Sequence, residues 1–335
     1  MMDWTDRHCR YFLRLVSPRA RLYTEMITTG ALMFGNVPRH LDFDPAEHPV
    51  ALQLGGSDPR ELSEAARAGE AAGYDEINLN CGCPSDRVAS GAFGACLMLD
   101  PHRVADCVAA MRASVSVPVT VKMRVGVINS QADRGGASLR DTVGKFDEAD
   151  FASLYNFVDS VRQAGCQAAI IHARKAVLGG LSPKDNREIP PLHFDVVKRI
   201  KQSFPGLPVI LNGGIREAAA ALDALTWCEG AMLGREAYHR PFVLTELERT
   251  LHPDTSADRA TREEMLERMA RYAQRELARG GRLSPITRHM LSLYGGQPGA
   301  REYRRFLSEG SRAADAGAEL IRNAARLAAS QFASV

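Results

Sequence analysis

The stretch Glu76-Ile77-Asn78-Leu79-Asn80-Cys81-Gly82-Cys83-Pro84-Ser85 holds the side chains best placed to do chemistry. Ile77 and Leu79 alternate with polar neighbours, which reads as a short strand. Gly82 permits a tight turn after it, and Pro84 forbids continuation of the ladder. Cys81 reads as a small buried side chain beside a turn, whereas Cys83 waits on what the rest of the chain brings to it.

Other apolar runs also end in polar groups. These ends are Gln53-Leu54-Gly55-Gly56, Lys122-Met123-Arg124, His172-Ala173-Arg174-Lys175, Asn212-Gly213-Gly214 and Gly234-Arg235. A lysine inside a buried strand is costly unless an anion answers it, so Lys122 asks for a bound negative charge. Gln53 offers a donor and an acceptor to a planar, amide-like edge. His172 reads equally as a satisfied core histidine or as a ligand contact.

The elements that position these ends alternate along the first 240 residues. Expected strands are Leu22–Ile27, Val50–Gly55, Glu76–Asn80, Val119–Val125, Ala168–Ala173, Pro208–Asn212 and Gly230–Gly234. Between them the apolar spacing predicts helices over Pro59–Ala72, Pro101–Ser114, Phe151–Ala164, Phe194–Ser203 and Glu217–Ala224. Gly73, Gly165 and Gly206 follow helices as C-caps would. Runs of Val, Ile and Leu suit parallel strands buried on both faces. A doubly wound sheet normally shows Gly-x-Gly-x-x-Gly after its first strand, and none follows an early strand here.

The expectation is therefore α/β, a (β/α)8 TIM barrel over 1–250, followed by a small all-α domain over 251–335. Seven strands are visible, and Met1-Met2 reads as the tail of an eighth, preceding one. In such a barrel the acting residues sit at the C-terminal strand ends, and phosphate sites form after the last two strands. Gly213, Gly214 and Gly234 would let the backbone approach a phosphate, and Arg235 would supply a charged fork. The polar, glycine-rich segment Asn129–Asp150 reads either as a loop or lid on the catalytic face or as a tolerated insertion.

Composition limits the function classes. Basic and acidic residues number 42 and 40, so global charge selects no partner. Seven scattered cysteines show no Cys-x-x-Cys pair and no metal-ligand spacing, and they read as reduced thiols of a cytoplasmic protein. No apolar run reaches the roughly 18 residues of a membrane helix. After about Pro253, helical patterns cover Thr261–Arg279, Pro285–Leu293, Pro298–Ser308 and Ala313–Ala329. From Arg279 to Arg326 there are nine arginines, no lysine and four acids, a local balance of +5 in a chain whose total is +2. Charge gathered on one domain suits a polyanion, although a solvated face has the same composition.

With these features in place, the chain resembles the tRNA-dihydrouridine synthases, in particular their bacterial A-type subgroup. The resemblance spans essentially the whole sequence. It rests on Met1-Met2-Asp3-Trp4-Thr5-Asp6-Arg7-His8-Cys9-Arg10, Gln53-Leu54-Gly55-Gly56, the Asn80-to-Asp86 stretch, Val121-Lys122, His172-Ala173-Arg174-Lys175, Gly180-Leu181-Ser182-Pro183-Lys184, Asn186-Arg187-Glu188-Ile189-Pro190-Pro191, Asn212-Gly213-Gly214 and Thr287-Arg288-His289-Met290.

The resemblance implies an FMN-binding barrel with a helical RNA-binding domain, monomeric, without metal and without membrane attachment. It places Met1, Met2, Gln53, Lys122, His172, Asn212, Gly213, Gly214, Gly234 and Arg235 at cofactor-binding positions. It makes Cys83 the catalytic cysteine, and Asn80, Lys184, Arg187, Arg301 and Arg304 contacts to tRNA. The implied reaction takes hydride from NADPH (NADH as a possible substitute) through FMN to C6 of a uracil in the tRNA D-loop, at positions 20 and 20a. Cys83 would donate the proton to C5; a thiol of ordinary pKa, about 8.5, is mostly protonated at neutral pH. The target base would be flipped out to reach the cofactor.

Three departures accompany the resemblance. The family's first strand and its Ala-Pro are missing before Met1, which implies a native start further upstream. Cys81 stands where an apolar residue is usual, and Asn129–Asp150 is longer than the family's loop. Two other readings are a flavin barrel acting on a free small molecule, like dihydroorotate dehydrogenase, and a non-catalytic tRNA-binding module. The arginine-rich C-terminal region argues against the first; Lys122 and Cys83 argue against the second.

Overall fold

A computed structural model of the chain describes residues 1–85, 93–129, 143–254 and 260–332. Seven strands form one sheet: β1 (Leu22–Thr28), β2 (Val50–Gly55), β3 (Glu76–Cys81), β4 (Val119–Arg124), β6 (Ala169–His172), β8 (Val209–Asn212) and β9 (Gly230–Met232). They lie side by side in chain order, and β2 through β9 pair in parallel. This is an α/β fold with the strand order of a barrel wall. Two further short strands, β5 (Val127–Asn129) and β7 (Ala176–Leu178), pair with each other in a separate two-stranded sheet.

Local chemistry explains the alternation of strands and helices. Asp58 caps Pro59–Ala71 by accepting from the Arg60 and Glu61 N–H groups, and Asp100 caps Pro101–Ser114 from Arg103. Each helix has proline in its first turn, where no N–H is needed. Gly73 and Gly165 end helices with φ of 98° and 95°, as expected of left-handed caps. Gly206 does not, because the helix Phe194–Ser203 already closes at Phe204. Strands β2 and β3 are buried at every position. Ile77, Leu79 and Cys81 form one face of β3, while Glu76, Asn78 and Asn80 form the other.

The chain packs as two compact units. One comprises Tyr23–Asp42 and His48–Leu233 and contains the sheet. The other comprises Met1–Leu22, Phe43–Glu47 and Gly234–Val335. The second unit thus takes in the N-terminal helix Arg7–Val16 as well as the chain from Gly234 onward. Its remaining helices are Arg235–His239, Phe242–Leu251, Arg262–Ala278, Ser284–Thr287, Ala300–Gly310 and Glu319–Phe332.

The expected strand tail at Met1-Met2 is instead a turn. The Met1 carbonyl accepts from the N–H groups of Trp4 and Thr5, both at 3.0 Å. Asp6 then caps Arg7–Val16 through the Cys9 N–H at 3.0 Å. The same carboxylate takes Arg288 Nη2 at 2.6 Å and His289 Nε2 at 3.0 Å. Burial alone would raise the Asp6 carboxyl, but His289 and Arg288 hold it well below the usual range. The sequence motifs around Met1–Arg10 and Thr287–Met290 therefore meet in one polar cluster. Beneath it, Arg10 and Glu47 pair at 2.6 Å, and Arg14 donates to the Glu47 and Ser17 carbonyls.

The long loop expected over Asn129–Asp150 lies mostly, at 130–142, outside the described residues, as does Asp86. Its C-terminal end opens the helix Glu148–Gln163, where Asp150 accepts from Lys175 Nζ at 2.6 Å.

Candidate active site

The inner face of β3 starts a ladder of side-chain hydrogen bonds. Tyr23 and Thr120 both donate to Glu76 Oε1, at 2.9 and 2.5 Å. Asn78 Nδ2 donates to Thr120 at 2.8 Å, and Asn78 Oδ1 accepts from Gln53 Nε2 at 2.8 Å. Gln53 Oε1 then accepts from Asn80 Nδ2 at 2.8 Å. The ladder ends at the top of the strand, where Asn80 Oδ1 accepts from both the Gly82 and the Cys83 N–H groups at 3.0 Å. The middle rungs, from Glu76–Thr120 to Gln53–Asn80, are buried, so those bonds are made where water cannot substitute for them. A buried polar column thus fixes the turn that presents Cys83.

Cys83 itself is half-buried, and its carbonyl accepts from Ala95 N at 2.9 Å. Cys81 differs in kind. It is fully buried, and burial pushes its thiol far above the ordinary value, with Cys107 and Cys166 adding to the effect. It serves as an inert small side chain on the helix-facing side, which accounts for a thiol at a position where an apolar residue is usual.

Lys122 lies directly beside Asn80 in the β3–β4 register. It is half-buried, and among the described residues no carboxylate pairs with it. Burial lowers its pKa to about 8, with the Arg124 charge adding and Cys83 opposing. One strand further, Arg124, His172 and Asn212 occupy a single row across β4, β6 and β8. Asn212 Nδ2 donates to the Met232 carbonyl at 2.8 Å, so its amide ties β8 to β9.

Gly213 follows with φ of 101° and Gly214 with φ of 71°. A Cβ on Gly213 would fall 2.6 Å from His172 Nε2, and one on Gly214 would strike the Leu192 side chain. Gly213→Ala is expected to displace His172 and to lose roughly 1–3 kcal/mol from backbone strain and overlap together. Thermal unfolding and flavin absorbance of the purified variant check this.

In the sheet-bearing unit, the structure thus brings Gln53, Asn80, Cys83 and Lys122 together and places His172, Asn212 and Gly213 along the adjoining strand ends. Lys184 and Arg187 are exposed, on the short turn around Asp185–Arg187. In the helical unit, Gly234 precedes Arg235–His239, and a Cβ there would meet only Met1 Sδ, at 3.4 Å. Met1 and Gly234 are therefore neighbours, while Met2 is exposed. Arg301 and Arg304 are both exposed on Ala300–Gly310, opposite the buried Tyr303 and Leu307. Sequence reasoning missed Asn78, Thr120 and Glu76; their even spacing from Asn80 and Lys122 is the signal that points to them.

A lone half-buried ammonium among neutral amides fits the pyrimidine edge of a flavin, which is planar, rich in acceptors and negative when reduced. Among the described residues, no group of three or more His, Cys, Asp or Glu side chains is placed to hold a metal ion. Likewise, no described helix is long and apolar enough to cross a membrane.

These strand ends belong to a (β/α)8-type fold. Residues 1–135 and 143–330 match the family model described as dihydrouridine synthase. A Xanthomonas campestris protein named tRNA-dihydrouridine(20/20a) synthase is 51% identical over 326 residues, covering 97% of this chain and 91% of its own. Proteins of the same name from Salmonella typhimurium and Pseudomonas syringae are 49% and 51% identical, covering 98% and 92% of this chain and 93% and 86% of theirs. The chain belongs to the dihydrouridine synthase family, flavin-dependent oxidoreductases that act on uridine in tRNA.

Proposed function

We propose that the chain is a cytoplasmic, monomeric tRNA-dihydrouridine(20/20a) synthase that uses FMN and NADPH, with NADH as a possible substitute. The observation that carries this reading is the turn at Cys83, clamped by Asn80 next to Lys122. In this reading the barrel extends over 1–250 and residues 251–335 form the tRNA-binding domain. Lys122 holds the charged edge of the cofactor, with Gln53 and His172 beside it. Asn212, Gly213 and Gly214 complete its seat on the sheet-bearing unit, and the resemblance assigns Gly234, Arg235, Met1 and Met2 to the cofactor as well. When bound, the flavin supplies the hydride that C6 of the uracil requires. Cys83 donates its thiol proton to C5 and regains one from solvent. Asn80 keeps that thiol in place and borders the substrate base.

Lys184, Arg187, Arg301 and Arg304 contact tRNA in this reading. Each phosphate contact releases counterions, so binding weakens steeply with salt. Arg301→Ala and Arg304→Ala are each expected to reduce the slope of log affinity against log salt by about 1. Binding titrations across a salt series read this directly.

The activity is tested by incubating the flavin-loaded full chain with NADPH and tRNA lacking dihydrouridine. Dihydrouridine at positions 20 and 20a supports the reading. Flavin turnover that ignores tRNA would point to a free small-molecule substrate, and tRNA binding without turnover to a non-catalytic module.

A further inference from the structure

Arg124 closes β4 and is only 3% exposed. Among the described residues no carboxylate pairs with it. Its guanidinium is committed to three backbone carbonyls. Nε donates to Gly82 O at 3.1 Å, and Nη1 donates to Asn186 O at 3.0 Å and Lys175 O at 3.3 Å. Burial lowers its proton affinity, Cys83 works against that, and Arg187 and Arg174 add to it. The group stays charged at neutral pH, since guanidinium begins so far above it. An uncompensated buried cation is costly, and an apolar side chain of similar volume is often the more stable choice. Packing alone therefore does not explain an arginine here.

The two ends of this bridge matter for chemistry. Gly82 O belongs to the peptide that leads into Cys83, whose N–H is held from the other side by Asn80. Asn186 is fully buried, and its side chain bonds the N–H and carbonyl of Val177 at 2.7 and 3.0 Å and the Leu181 carbonyl at 3.2 Å. That side chain shapes the loop from which Lys184 and Arg187 project. One guanidinium thus joins the turn bearing the thiol to the loop bearing two exposed cations.

We propose that Arg124 is a positioning residue that couples the 174–187 loop to the Cys83 turn, so that RNA seated on Lys184 and Arg187 fixes the thiol for proton transfer. The proposal rests on the reading of Cys83 as the acid. A lysine at 124 keeps the charge but cannot span both carbonyls in the fork geometry. Misplacement of a reacting group by about 1 Å costs up to roughly 100-fold in rate.

In the flavin-loaded full chain, Arg124→Lys is expected to lower kcat for uridine reduction about 10–100-fold. The KM for tRNA and the flavin content should stay near wild type, and the solvent deuterium isotope effect on kcat should rise as proton donation becomes limiting. Asn186→Ser, at the far end of the bridge, should give the same signature, and the double variant should be no slower than the slower single one. A raised KM with unchanged kcat would make Arg124 an RNA contact and overturn the proposal. So would a lower melting temperature and flavin loss with an unchanged isotope effect, which a purely structural clamp would give. If Arg124→Lys does not fold, Asn186→Ser alone decides by the same kcat and isotope criteria. Full activity in Cys83→Ala is a separate result: it removes the acid assignment rather than the bridge.

Discussion

Cys83→Ala is expected to slow uridine reduction by about 10²–10⁴-fold, the range for losing a general acid. The expectation follows from what the turn does and does not use. Asn80 and Ala95 bind the backbone of Cys83, so alanine leaves the clamp intact. The side chain is half-buried, and its loss leaves no large cavity. Stability should therefore change by less than about 1 kcal/mol, as for surface substitutions away from special features. Consumption of NADPH without tRNA should continue, because the thiol is needed only for the proton to C5. Single-turnover reduction of tRNA, followed beside NADPH oxidation, separates the two. Retention of the wild-type rate would mean that another group, or water, supplies the proton. Cys83→Ser is the sharper comparison, since a hydroxyl keeps the size and the donor but is a far weaker acid.

The barrel strands were legible because apolar residues dominate them as a rule: Val50, Ala51, Leu52 and Leu54 in one, and Val119, Val121, Met123 and Val125 in another. Their ends were legible because Lys122, Asn212 and Gly213 break that rule at one edge. The interior ladder was not. Glu76, Asn78 and Thr120 look like the polar half of an ordinary alternation, and only the register of neighbouring strands shows that this face meets other side chains rather than water. The helix Arg7–Val16 was hidden for a related reason. Arg10 and Arg14 are both buried against Glu47, 33 and more residues away. Local periodicity carries no information about a partner so remote. The strand tail expected at Met1-Met2 is a turn instead, because the Met1 carbonyl is taken by the Trp4 and Thr5 N–H groups. Cys81 and Cys83 looked equivalent as types. What separates them is the parity of their neighbours: Cys81 falls on the helix-facing side with Leu79, and Cys83 falls past the turn.

Lys122→Met should weaken binding of reduced flavin by about 10–100-fold, from the roughly 1.5–3 kcal/mol that a hydrogen bond to a charged group contributes. The wild-type affinity should also depend on pH in a way the variant lacks. In the unliganded chain the Lys122 ammonium has a pKa of about 8, lowered by burial and by Arg124. A negative ring placed against it must raise that value. Below about pH 8 the lysine is charged before and after binding, and affinity is flat. Above pH 8 the free lysine is neutral and binding must take up a proton, so affinity falls until pH passes the raised, bound-state value. Folding of the unliganded chain carries the opposite sign. There the folded pKa lies below the unfolded value of 10.5, the unfolded chain holds more protons between the two, and the Lys122 contribution to stability rises with pH across that window. Anaerobic titration of reduced flavin at pH 7 and pH 9 on both proteins tests the pair of claims, since titration of the ligand itself appears in both and cancels. An equal loss of affinity in wild type and Lys122→Met would show that this ammonium does not face the charged edge. A wild-type loss absent from the variant would tie the Lys122 ammonium to the cofactor that its position beside Asn80 anticipates.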